Sequence, residues 1–291
     1  MDEGHLGGRV CAARHDLGEQ VLQSGSLLEA RLYLRRGVPP SLRARMWRRC
    51  LGLPQEYLPS EDVSYMRLRY ECDRYDLLTD ELYLHDVQTV VDDPRYFVFE
   101  EEMKEIIFCF SRDDSIRHSA HYLIHAPILG HLPPPLDPQQ AMPPSAVQPY
   151  LGLAAYFAPL CYVYRVLPSL YSVTRALYCG FWCRLNVLSG DANTLLPVCK
   201  TFETVLMQLQ PQLFLHLVGF GLQPLKIAFP WIQLAFVGLL EVDQVLLLWD
   251  RVIGFGDLSI LALAAVGIFV DRMDPLMRVG FDALWGVWRG F

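Results

Sequence analysis

The residues of this chain whose types and spacing could hold a metal ion are His118, His121, His125 and His131, and the thiols Cys179 and Cys183. His121 and His125 fall one helical turn apart, a spacing that suits zinc. No Glu follows His121, so the metalloprotease pattern is not met. Cys179 and Cys183 are also one turn apart, but no second matching pair sits nearby. The histidines therefore read as polar positions on an exposed helix and loop, and no metal is expected. Cys11, Cys50, Cys72, Cys109, Cys161 and Cys199 are scattered, mostly within apolar stretches. With the other two they read as reduced, buried thiols. No Gly-rich phosphate loop and no Gly-x-Ser-x-Gly elbow is evident, so no independent small-molecule chemistry and no cofactor is expected. Arg31, Arg35, Arg36, Arg43, Arg45, Arg48 and Arg49 crowd residues 25–50 and could face acidic lipid or an acidic protein. Leu42, Met46 and Trp47 supply an apolar face there, so the arginines read as the solvated side of a helix.

The elements that must position these groups are helical. Residues 1–24 are mixed and polar and read as a frayed leader. Gly37-Val38-Pro39-Pro40-Ser41 is a turn, with Ser41 as N-cap of a helix over Leu42–Cys50 and Gly52 as its terminator. Residues 61–84 read as one helix, and Asp92-Asp93-Pro94 breaks the stretch that follows. Phe97, Phe99, Met103, Ile106, Ile107 and Phe110 mark one face of a helix over 97–110. The prolines of segment 130–149 exclude helix and central strand and read as an exposed loop. Further on, Pro211 opens a helix over Gln212–Val218, and Pro230 opens another over Trp231–Leu240. Asp243 precedes a helix over Gln244–Ile253, broken by Gly254 and Gly256. Asp257 caps a helix through Val270. Leu284, Trp285 and Trp288 suit a last amphipathic helix. No sustained period-two alternation is present, so the expected fold class is all-α.

The hydrophobic fraction of 52% is enough to bury a core and excludes a disordered chain. A net charge of −7 gives no electrostatic footprint for nucleic acid. The apolar runs Ile227–Leu240 and Leu258–Val270 are shorter than the roughly 18–20 residues that span a bilayer. They read as core helices, so no transmembrane segment is expected and the protein reads as soluble and cytoplasmic.

Three motifs together carry a resemblance. Arg35-Arg36-Gly37-Val38-Pro39, followed by Leu42-Arg43 and Trp47, resembles the opening motif of TBC domains, which belong to the Rab GTPase-activating proteins. Gly152 with Ala158-Pro159-Leu160 is similar to that family's Gln-Gly-Met to Ala-Pro-Leu helix. Pro230-Trp231, continued by Leu248-Trp249-Asp250-Arg251, is similar to its closing helices. The resemblance implies an all-α TBC-type domain with a long proline-rich loop, spanning residues 30–272. A polar leader over 1–29 would precede it, and a tail or last helix over 273–291 would follow. It also implies a GTP-bound Rab-type small GTPase as partner, a role in membrane trafficking, and peripheral recruitment to endomembranes through that GTPase. Arg43, Trp47, Asp86, Gly152, Trp231, Trp249 and Asp250 match its signature positions and are expected to act mainly in holding helices together. A buried Arg–Asp pair fits, since either charge left alone inside would be costly.

Members of the family supply two side chains to the GTPase. An arginine neutralises charge on the transferring phosphoryl group, and a glutamine orients the attacking water. The arginine closes an Ile-x-x-Asp-x-x-Arg pattern, which aligns with Tyr83 through Thr89. Asp86 matches, but Thr89 holds the arginine position. The glutamine lies in Tyr-x-Gln-Gly, which aligns with Pro149-Tyr150-Leu151-Gly152. Gly152 matches, but Leu151 holds the glutamine position. Threonine carries no positive charge, and the leucine side chain neither donates nor accepts a hydrogen bond. An arginine finger contributes roughly a thousand- to a hundred-thousand-fold in rate, about 4–7 kcal/mol of barrier. The catalytic set therefore reads as empty, and the expected role is binding with weak or absent activation. Arg95, Gln88 and Gln148 are the neighbours that could substitute, although each reads as a surface residue. Two other readings stay open: a working activator using non-standard residues, and a helical adaptor independent of GTPases.

Overall fold

The computed structural model describes residues 3–119 and 143–278 of the chain. Among them every regular element is a helix or a 3-10 turn, and there is no strand. The N-terminal elements are α1 (Glu3–Ser24), α2 (Leu27–Leu34) and α3 (Pro40–Cys50). Next come α4 (Pro59–Arg74), α5 (Asp80–Val91), α6 (Glu100–Arg112) and α7 (Ser115–Ser119). Two 3-10 turns, Ala154–Tyr156 and Ala158–Tyr162, lead into α8 (Leu167–Gly180). The C-terminal elements are α9 (Leu195–Leu209), α10 (Pro211–Gly219), α11 (Pro224–Gln233), α12 (Val242–Phe255), α13 (Ser259–Asp271) and α14 (Met273–Arg278). Helices α4, α5, α6 and α8 pack as one group, and α9, α11 and α13 as another. Helices α2 and α3 lie against α12, and the Ala154–Tyr156 turn lies against α5. The core is aromatic at its centre. Trp182 stacks on Tyr156 with centroids 5.6 Å apart and contacts Trp249 at 4.8 Å, and Trp249 in turn meets Trp47 at 6.3 Å.

Several boundaries differ from the sequence-based expectation, each for a physical reason. Helix α1 replaces the frayed leader. Leu22 is buried, Arg45 pairs with Glu19 at 2.8 Å, and Tyr33 Oη donates to the Arg14 carbonyl at 2.5 Å. Helix α3 begins at Pro40, so Ser41 lies inside it and makes no side-chain cap. Proline fits a first helical position because it has no N–H to lose there. Gly52 follows the helix at φ +75°, a conformation that favours glycine. The single helix expected over 61–84 is two helices. Tyr75 is extended, its carbonyl accepts from Arg112 Nη2 at 3.0 Å, and Asp80 accepts from the Leu77 N–H at 2.8 Å. Phe97–Phe99 is a 3-10 turn before α6, and Phe97 is exposed rather than on the buried face.

Pro230 lies inside α11 rather than at a helix start, and that helix ends at Gln233. Ala235 and Phe236 then take left-handed φ of +47° and +69°, which reverses the chain. Gly256, at φ +67°, ends α12, whereas Gly254 is buried inside that helix. A Cβ on Gly254 would stand 2.8 Å from the Arg35 nitrogen and 2.9 Å from the Arg31 carbonyl, so glycine is what allows α2 and α12 to touch. Because backbone cannot yield as a side chain does, Gly254→Ala is expected to lower stability by about 1–3 kcal/mol in chemical denaturation. An unchanged denaturation midpoint would show that the two helices separate freely.

The proline run between 130 and 142, His121, His125, His131, Leu284, Trp285 and Trp288 lie outside the described residues. No single helix among the described residues is long and apolar enough to cross a membrane. Helices α10 and α11 pass that test only together, and they are bent by 107° to one another.

Candidate functional site

Helix α5 is anchored along its length by partners distant in sequence. At its start Asp80 pairs with Arg112 at 2.5 Å. One turn on, buried Tyr83 donates to the Val147 carbonyl at 2.6 Å. Asp86 is almost fully buried, and its two carboxyl oxygens accept from the Gly152 N–H at 2.5 Å and the Ala154 N–H at 2.6 Å. Burial pushes the Asp86 carboxyl above its ordinary pKa, opposed by the N–H groups of Ala154 and Gly152. Thus one carboxyl ties the middle of α5 to the loop that carries Leu151.

Backbone conformation favours glycine at 152: its φ is +98°, while a Cβ there would only have to displace the Leu234 Cδ2 methyl, 2.4 Å away. Beneath the loop, Tyr150 Oη accepts from Asn186 Nδ2 at 2.8 Å, and Tyr156 Oη donates to the Gln233 carbonyl.

Leu82 and Thr89 stand four residues before and three after Asp86, so both flank it on the same side of α5. Thr89 is exposed, and its hydroxyl donates to the His85 carbonyl of its own helix at 2.9 Å. Leu82 and Leu151 are exposed, Leu151 by two-thirds. The edge around Asp86 therefore presents a threonine and two leucines, with neither a cation nor an amide from positions 89 and 151.

The neighbouring polar groups are placed differently. Arg95 is not a solvated loop side chain: only a quarter of it is exposed, and it pairs with Asp93 at 2.6 Å. Its Nη1 donates to the Leu240 carbonyl at 2.9 Å and its Nη2 to the Gly238 carbonyl at 3.1 Å. The guanidinium in turn holds the Asp93 carboxyl below its ordinary pKa. Gln88 is exposed and donates to Asp92 at 3.4 Å, and Gln148 is exposed in the segment before Leu151.

A second cluster joins α3 to α12. Asp250 is fully buried and accepts from Arg43 Nε at 3.1 Å, Trp47 Nε1 at 2.6 Å and the Val38 N–H at 2.9 Å. Arg43 Nη2 also donates to the Val38 carbonyl at 3.1 Å, which closes the network on the α2–α3 turn. Trp249 Nε1 donates to the Ala235 carbonyl at 3.0 Å and so holds the reversal after α11. Trp231 is half-buried, with its ring 5.9 Å from that of Phe269. Val147 and Leu234 were not singled out from the sequence. No local motif marks them, because their roles are contacts across the fold. His118 lies on α7, and no group of His, Cys, Asp and Glu side chains among the described residues could hold a metal ion.

Residues 158–277 match the Rab-GTPase-TBC domain. Over 267 residues the chain is 37% identical to human TBC1 domain family member 19, an alignment covering 90% of this chain and 50% of that protein. The chain therefore spans about half the length of the curated relative it matches. The family match begins after Leu151, whereas the alignment with the human relative takes in nine-tenths of the chain. An all-helical fold, the two matches and the ordered motifs agree: this chain carries a Rab-GTPase-TBC domain.

Proposed function

We propose that this protein regulates Rab-type small GTPases in membrane trafficking by binding them in the GTP-bound form, with little or no acceleration of hydrolysis. The observation that carries the reading is the edge around Asp86, where Thr89 and Leu151 stand at the positions aligned with the family's arginine and glutamine. Hydrolysis of GTP needs a cation at the transferring phosphoryl group and a polar group to orient the water. A threonine hydroxyl donating back into its own helix and an exposed leucine supply neither. Arg95 is a poor substitute, since releasing it would break its bonds to Asp93, Gly238 and Leu240. Recruitment to endomembranes would then come through the bound GTPase, with the protein acting as a competitor or scaffold.

Single-turnover GTP hydrolysis across a Rab panel, paired with pull-downs in the GTP and GDP states, tests this. The expected result is nucleotide-dependent capture of at least one Rab, with hydrolysis at its intrinsic rate. Capture that ignores the nucleotide would favour a helical adaptor instead. Clear stimulation abolished by Arg95→Ala would favour a working activator with non-standard residues. For Arg95→Ala itself, the expected outcome is unchanged hydrolysis and a loss of about 1–3 kcal/mol of stability, from the severed carbonyl bonds at Gly238 and Leu240. Urea unfolding of the variant beside the wild type measures it.

A further inference from the structure

Helices α4 and α6 run parallel, and their cross-contacts fix a register. Arg69 of α4 meets Glu105 of α6 at 3.0 Å. Beyond the end of α4, the Tyr75 carbonyl meets Arg112 Nη2, the last residue of α6, at 3.0 Å. Midway between these contacts the register sets Cys72 of α4 beside Cys109 of α6, and each thiol influences the other's ionisation. Cys109 is buried, whereas Cys72 is partly exposed. The neighbouring Cys109 thiol, and after it Arg112 and Arg69, hold the Cys72 thiol below its ordinary pKa against the opposing effect of burial. A partly exposed thiol beside guanidinium groups, with a second thiol in reach, is the arrangement in which peroxide oxidation passes on to a disulfide.

We infer that Cys72 and Cys109 form a reversible, peroxide-sensitive thiol pair that staples α4 to α6. The Cys72 thiolate attacks one oxygen of hydrogen peroxide and the O–O bond breaks. The departing hydroxide takes up the proton that the Cys72 thiol released on ionising and leaves as water, with a sulfenic acid remaining on Cys72. The Cys109 sulfur then attacks the Cys72 sulfur and the S–O bond breaks. The second hydroxide leaves with the Cys109 proton as water. Two thiols are thereby oxidised by two electrons, and one peroxide is reduced to two waters. The other cysteines serve as internal comparisons, notably Cys11, which is exposed on α1, and Cys50, which is buried with its thiol pushed up to about 12 by burial.

The test uses the full chain, treated with hydrogen peroxide, blocked with an alkylating agent and mapped by mass spectrometry. The expected result is a peptide pair linked through Cys72 and Cys109, lighter by two hydrogens and released by dithiothreitol. It should form before Cys11 is oxidised. The linked protein should melt roughly 5–10 °C higher, as expected for closing a loop of this length. Cys109→Ser should leave a Cys72 sulfenic acid that dimedone traps, and Cys72→Ser should abolish the link. Oxidation of Cys11 with no Cys72–Cys109 link would overturn the inference. So would a link that forms only in denaturant or lowers the melting temperature.

Discussion

Thr89→Arg combined with Leu151→Gln is expected to raise single-turnover GTP hydrolysis on the cognate Rab by roughly a thousand-fold or more. Thr89 is exposed and its hydroxyl bonds its own helix, while Leu151 is two-thirds exposed. The loop around Leu151 is held by backbone bonds from Gly152 and Ala154 to Asp86, which the Leu151 side chain does not make. Both substitutions are therefore expected to change stability by no more than about 0.5 kcal/mol. The guanidinium supplies charge neutralisation and the amide orients water, so each single variant should recover only part of the gain. Rapid-quench hydrolysis with excess variant reads the result directly. A double variant that captures a Rab and leaves its hydrolysis at the intrinsic rate would sink the proposed alignment of these positions.

The second large effect concerns the buried network at Asp250. Asp250→Ala would leave the Arg43 guanidinium, the Trp47 indole N–H and the Val38 N–H without their shared acceptor. A buried charge without a partner typically lowers stability by about 3–5 kcal/mol. A domain's total stability is commonly about 5–15 kcal/mol, so the variant should melt far lower or fail to accumulate. Asp250→Asn keeps the shape and one acceptor oxygen, and should fall between the two. Arg43→Ala leaves the carboxylate with two neutral donors and should be less severe than Asp250→Ala. Equilibrium unfolding of the three variants orders them. An Asp250→Ala protein within about 1 kcal/mol of wild type would mean the network contributes little.

Much of the helical architecture was legible from local chemistry. Gly52 and Gly256 end their helices at positive φ, Pro211 opens α10, and Asp257 accepts from the Ser259 N–H at the start of α13. These are contacts between near neighbours, so residue type and spacing suffice to foretell them. The break between α4 and α5 was not legible. Residues 75–79 contain neither glycine nor proline, and it is Arg112, well along the chain, that takes the Tyr75 carbonyl out of the helix. The end of α11 was hidden for a similar reason. Ala and Phe do not signal left-handed backbone, and Trp249 holds the turn by bonding the Ala235 carbonyl.

Residue identity alone determined that position 89 carries no cation and position 151 no amide, because charge and hydrogen-bonding capacity belong to the side chain itself. It also determined that the chain is helical, through the repeat of its apolar residues. Only the tertiary structure decided that Asp86 draws those two positions to one edge, across a separation of 66 residues to Gly152. It likewise committed Arg95 to carbonyls 143 and 145 residues away. The reason is physical: a polar group leaving water takes whichever partner the packed helices bring within 3 Å, and that choice is made by the fold as a whole.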